Sequence, residues 1–183
     1  MKHFLTLLIS FQFFTIQAQV KESFINAIDF EIGKEISYGG NLNEGRFLDD
    51  LSWAWSSQNA CFPKTQKNKF TGKHILFTGI IPAHSITTIT LIPKHKKDNL
   101  SLYAYQINIG EDFVVPNLPY CITCEADHKW DYNKKGRKKQ NHKRMVTNFT
   151  AINSSYRLII GVTGADGLDE SDFKIVIETV QYY

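Results

Sequence analysis

Residues 73–106 read KHILFTGIIPAHSITTITLIPKHKKDNLSLYAYQ. They hold three short runs of β character. Ile75, Phe77 and Gly79 share one side of the first, and Thr87, Ile89 and Leu91 one side of the second. Leu100, Leu102 and Ala104 share one side of the third, with Ser101, Tyr103 and Tyr105 on the other. Successive side chains of a strand point to opposite faces, so a period of two lets each run lay an apolar edge on a core. Ile81-Pro82-Ala83-His84 separates the first two runs, and the lysine-rich segment from Pro93 to Asn99 separates the last two. The stretch predicts a consecutive antiparallel arrangement and an all-β domain.

Outward from it, Phe30-Glu31-Ile32 reads as a short strand and Tyr38-Gly39-Gly40-Asn41 as a turn. Leu51, Trp53 and Trp55 alternate with Ser52 and Ala54, which predicts a strand with two tryptophans on one face. Thr65 to Thr71 is polar and reads as a loop, and Ile107 to Val115 as one further strand that ends at Pro116. Met145, Thr147, Phe149 and Ala151 share a face of the next run. Tyr156, Leu158, Ile160 and Val162 define the clearest strand, and Phe173, Ile175 and Ile177 the last. Between them, Gly164-Ala165-Asp166-Gly167 is a turn in which Gly164 and Gly167 take φ > 0. Strands of this spacing without a helical pattern predict an antiparallel β-sandwich of jelly-roll type. The segment from Cys121 to Arg144 has no periodicity, which predicts one long irregular basic loop over 121–144.

The first residues predict export. Met1-Lys2-His3 is a positive end, Phe4 to Ile16 is mostly apolar, and Ala18 supplies a small residue at a cleavage position. That pattern is a secretory signal peptide over residues 1–18, leaving a single domain over 19–183 with no membrane-spanning segment in the mature chain. The expected compartment is the extracellular space, the periplasm or the cell envelope. In such a compartment a disulfide is expected among Cys61, Cys121 and Cys124, with Cys61–Cys124 preferred and Cys121 the alternative partner.

Similarity to a known family adds to this reading. HILFTGIIPAHSITTITLIP, DNLSLYAY and YRLIIGVTGADGLDESDFKIVIE resemble, in order, the strands of the bacterial pre-peptidase C-terminal domain family. The resemblance lies in Phe77 to Pro82, Asp98 to Tyr103 and Tyr156 to Ile177; Ser101 stands where the family carries a second acidic residue. It implies a small secreted β-sandwich, an accessory or binding module with no catalytic residues. Trp53/Trp55 and the insertion from Cys121 to Arg144 lie outside the shared pattern, as marks of a separate, stand-alone branch.

Candidate sites follow from charge and aromatics. Net charge is only +3, but Lys129, Lys134, Lys135, Arg137, Lys138, Lys139, Lys143 and Arg144 crowd into one window that holds the single acid Asp131. With Trp130 and Tyr132 beside them, they suit electrostatic capture of a polyanion such as an acidic glycan, with ring stacking on the ligand. The plain alternative is a solvated loop. Trp53 and Trp55 suit a sugar platform or, more simply, core packing. Asp166, Asp169, Glu170 and Asp172 suit calcium, whose shell is carboxylate-rich. Cys121, Cys124, His128 and His142 are the zinc alternative, at irregular spacing. No hydrolase, metalloprotease or P-loop motif is present. The sequence therefore predicts a non-catalytic secreted module without a cofactor, whose partner is an acidic glycan or an extracellular or envelope protein rather than nucleic acid. A secreted hydrolase and a structural envelope protein are the alternatives.

Overall fold

The computed structural model describes residues 24–55, 62, 66–129 and 142–183. Nine strands form two sheets among these residues. They are β1 (Ile25–Ala27), β2 (Lys34–Asn41), β3 (His74–Ile81), β4 (Ser85–Pro93), β5 (Leu100–Ile107), β6 (Thr123–Asp127), β7 (Arg144–Ala151), β8 (Tyr156–Gly164) and β9 (Asp172–Gln181). One sheet has the order β1-β3-β8-β5-β6 and the other β2-β9-β4-β7. Every pairing is antiparallel except β1 with β3. The all-β sandwich is as expected.

The alternation in residues 73–106 sets which side of each strand is buried. Ile75, Phe77, Ile89, Leu91, Leu100, Leu102 and Ala104 all enter one core, where Leu158, Ile160, Val162, Phe173, Ile175 and Ile177 meet them. The expected consecutive pairing is wrong, however. β3 pairs with β8, β4 with β9 and β7, and β5 with β8 and β6. The chain crosses between sheets at Ile81-Pro82-Ala83-His84 and again after Pro93, so each turn is an inter-sheet corner rather than a hairpin. His84 takes a positive φ of 57° at the first corner.

The five-stranded sheet is buried on both faces. Leu76, Tyr103, Tyr105, Ile107 and Ile159 point away from the first core into a second, roofed by Trp53, Phe62, Phe70, Val115 and Leu118 from irregular segments. A sheet covered on both sides loses the apolar/polar contrast along its strands, and β5 is buried at all its positions. The four-stranded sheet shows more of its outer face to solvent, where Thr88, Thr90, Lys174 and Glu178 alternate with core residues of β4 and β9.

Six local expectations are corrected. Ser52–Ala54 is a 3-10 turn, not a strand. The Asp50 carboxylate accepts both the Ser52 N–H and the Ser52 hydroxyl at 2.8 Å, which folds the chain locally. Tyr38 to Asn41 lies within β2 rather than in a turn; Gly40 is required because the Phe173 ring fills the space of a β-carbon there. Residues 108–115 leave the sheet after Ile107, because Glu111 turns the chain by accepting the Asn108 N–H at 3.1 Å. Thr123–Asp127, expected to be irregular, is the edge strand β6. In β7 the register shifts opposite Thr87/Ile89 and Asn148 takes φ of 67°, so Val146 turns inward and Met145 is 54% exposed. In the last turn Gly167 and Asp166 have positive φ, whereas Gly164 closes β8 against the Leu168 carbonyl.

Candidate functional site

The second core places most of the chemistry-bearing side chains that sequence reasoning left unassigned. His74 opens β3 and points into this layer, fully buried. Its Nε2 lies 2.9 Å from the Phe70 carbonyl and so donates to it; its Nδ1, 3.1 Å from the Tyr103 hydroxyl, then accepts. Burial pushes the imidazole pKa down to about 4, against the opposing effect of the Phe70 bond, so the ring is neutral at pH 7. Burial also raises the Tyr103 phenol well above its ordinary value. Trp53 packs against the same pair, its ring 4.7 Å from that of Tyr103 and 6.2 Å from that of His74. Tyr105 donates to the Phe113 carbonyl at 3.0 Å and accepts the Val115 N–H at 3.2 Å, which pins the 113–115 segment to the sheet. His74, Tyr103 and Tyr105 thus have scaffolding tasks, whereas the buried Trp53 indole N–H has no hydrogen-bond partner among the described residues.

The expected site residues separate. Trp53 is 1% exposed and belongs to the core, so the two-tryptophan platform is incorrect. Trp55 is 39% exposed and turned away from it, with the Lys67 ammonium 5.5 Å above its ring. Local capping by Asp50, rather than strand pleating, decides this split.

Trp130, Tyr132, Lys134, Lys135, Arg137, Lys138 and Lys139 lie outside the described residues, as do Cys61 and residues 1–18. The two ends of that basic window are described. β6 ends at Asp127 and β7 begins at Arg144, and the Asp127 carboxylate accepts the Met145 N–H at 2.9 Å, tying the two strands together. Burial raises the Asp127 pKa, opposed by that N–H and by Arg144. Arg144 is corrected as a ligand contact: it is 3% exposed, and its Nε donates to the Leu100 carbonyl at 2.9 Å. Burial holds its pKa below the ordinary guanidinium value. Lys143 is exposed. Burial lowers the pKa of His142, and the positive charges of Arg144 and Lys129 lower it further.

The metal candidates do not converge. Asp166 accepts from Asn68 at 2.9 Å and Asn99 at 3.3 Å, with the Lys69 ammonium 3.9 Å away. Asp172 accepts from Asn41 at 2.7 Å and Lys94 at 2.9 Å, which lower its pKa. Asp169 and Glu170 are exposed. Among the described residues no three His, Cys, Asp or Glu side chains are grouped to hold a metal, and this corrects both the calcium and the zinc sets. Cys124 is buried on β6 opposite Tyr105, and Cys121 is half-buried.

Two cavities of ≈ 370 Å³ each flank the segment 112–115 on the outer face of the five-stranded sheet. One lies between Arg46 and Phe113–Asn117. The other has Leu76, Thr78 and Ile159 as its floor, Ile25 and Ala27 of β1 on one side, and Asp112, Val114 and Arg157 completing it. Sequence reasoning missed this second cavity. Arg157 and Thr78 alternate with core residues in their strands, and nothing in the spacing marks which part of an outward face stays unroofed.

No protein-family model and no curated protein sequence matches the chain. Among solved structures it is similar to PliG of Aeromonas hydrophila, a periplasmic inhibitor of g-type lysozyme, at 11% identity and a TM-score of 0.39, over 85% of this chain and 95% of that one. Among the described residues no helix is long and apolar enough to cross a membrane.

Proposed function

We propose that this protein is an exported, non-catalytic β-sandwich module that captures an acidic glycan through the basic window between β6 and β7. The observation that supports it is the Asp127–Met145 tie, which brings the two ends of that window to one corner of the sandwich. Clustered positive charge of this kind attracts polyanions. Trp130 and Tyr132 would supply stacking faces for sugar rings. The resemblance to pre-peptidase C-terminal domains favours the same kind of accessory role, and the leader-like residues 1–18 favour an extracellular or periplasmic setting. A non-catalytic reading also suits the buried polar groups. His74 bonds to the Tyr103 hydroxyl and to the Phe70 carbonyl, and neither ring nitrogen is left to move a substrate proton.

Retention on immobilised heparin tests this. Lys138→Glu together with Lys139→Glu should elute at clearly lower salt than the unaltered chain, with an unchanged melting temperature. Identical elution of the two proteins would remove the basic window from the account.

A further inference from the structure

We propose that the cavity floored by Leu76, Thr78 and Ile159 binds a small zwitterion with an apolar body, a hydrophobic α-amino acid or a short hydrophobic peptide carrying both charged termini. This site is separate from the basic window, and neither depends on the other.

The outer face of the five-stranded sheet is unevenly roofed. Over Tyr103 the aromatic layer of Trp53, Phe62 and Phe70 closes it. Toward Thr78 and Arg157, where Ile80 is 40% exposed, the roof stops and the cavity of ≈ 370 Å³ opens. That volume sits near the lower end of the roughly 300–1,000 Å³ typical of small-molecule sites.

Its polar groups are few and of opposite sign. The Arg157 Nη2 donates to the Ile109 carbonyl at 3.2 Å, but its Nε is buried with no acceptor from the protein. The Thr78 hydroxyl, on the neighbouring strand, is buried in the same condition. Among the described residues no carboxylate forms an ion pair with Arg157, although Asp112 lines the same cavity; Asp112 itself is exposed and ion-paired with nothing. Leaving a buried donor without an acceptor costs about 1–3 kcal/mol, more for a charged group, so such groups call for a specific explanation.

One ligand chemistry answers all three features. A carboxylate meets the guanidinium, whose planar fork suits it, and takes the threonine hydroxyl as a second donor. An ammonium meets Asp112. The aliphatic body rests on Leu76, Val114 and Ile159. A simple anion would face Asp112 across an apolar cavity, and a simple cation would face Arg157; both are disfavoured by like charge.

The test is calorimetric titration of the folded chain at pH 7 with L-leucine and with leucyl-leucine. N-acetyl-leucine, which lacks the ammonium, and leucinamide, which lacks the carboxylate, serve as controls. Saturable binding of at least one zwitterion is expected, and comparing the two tells a free amino acid from a peptide. Each control, and the variant Arg157→Met, should bind at least about tenfold more weakly, as loss of a hydrogen bond to a charged group implies. Asp112→Asn, at an exposed position, should weaken leucine binding while leaving the melting temperature unchanged, and it keeps the test valid if Arg157→Met does not fold. Absence of saturable binding by both zwitterions, controls that bind as well as leucine, or unchanged binding by Asp112→Asn would each overturn the assignment.

Discussion

The ring of Tyr103 lies across the α-carbon of Gly161, its cross-strand partner in the centre of the five-stranded sheet, and occupies the place of a β-carbon there. Tyr103 can then lie flat enough to reach His74 with its hydroxyl and Trp53 with its ring. Glycine weakens a strand unless a ring or backbone covers it, and here the ring does so. Gly161→Ala forces the tyrosine off its position. It should lower unfolding free energy by about 3 kcal/mol, at the upper end for overpacked cores. Urea denaturation measures this, and a loss below about 1 kcal/mol would mean that the tyrosine finds another rotamer at little expense.

His74 gives the fold a pH dependence of known sign. Its folded pKa, about 4, lies below the unfolded value near 6.5, so the unfolded state binds the proton more readily. Its contribution is fully present above pH 6.5 and is lost as pH falls toward 4, by about 3 kcal/mol in total at 1.36 kcal/mol per pKa unit. Urea unfolding of the unaltered chain and of His74→Gln at pH 7 and pH 4.5 isolates the effect. The stability difference between the two pH values should be smaller in the variant by about 2–3 kcal/mol; equal differences would show that folding does not lower the His74 pKa.

Trp53 should behave as a core residue. Trp53→Ala removes a ring that touches Phe62, Phe70 and Tyr103, and such truncations cost about 3–5 kcal/mol. Heparin retention of the folded fraction should stay unchanged. A variant that is stable but no longer retained would restore the sugar-platform reading.

Cys124 should be joined to Cys61. A bridge closing that long a loop stabilises by about 4 kcal/mol in the chain-entropy model. Mass spectrometry of unreduced proteolytic peptides should find the pair 61–124 and lose it on reduction. The pair 61–121 would place the bridge outside β6 instead.

What could be read in the sequence depended on one-sided burial. Thr87, Ile89 and Leu91 alternate with Thr88, Thr90 and Ile92 because one face of β4 meets the core and the other faces outward. That signal gave the inward side of five strands and hence the fold class. It carries no information on neighbours, so β3, β4 and β5 were misread as paired. β6 has little pattern of its own; at the sheet edge it is held chiefly by backbone pairing with β5. Met145 was placed inward because the irregularity at Asn148 shifts the phase by one residue, and neither side chain announces it. The period-two pattern of Leu51 to Trp55 puts Trp53 and Trp55 on one face, but it is only five residues long and the capping Asp50 outweighs it. For the candidate site, most of the basic window lies outside the described residues, and its last member is not available to a ligand: Arg144 is held by Leu100, a contact 44 residues away in the chain.

The central claim is that charge in residues 129–143 does the binding while the sandwich only presents it. Affinity for a defined heparin oligosaccharide, measured by calorimetry across a salt series, tests it most directly. The unaltered chain should lose on the order of tenfold to a hundredfold in affinity between about 50 and 200 mM salt, as release of counterions from several basic contacts requires. Replacing Lys134, Lys135, Lys138 and Lys139 with Glu should abolish both the affinity and its salt slope. A slope near zero, or a charge-reversed variant that binds like the original, would contradict the account.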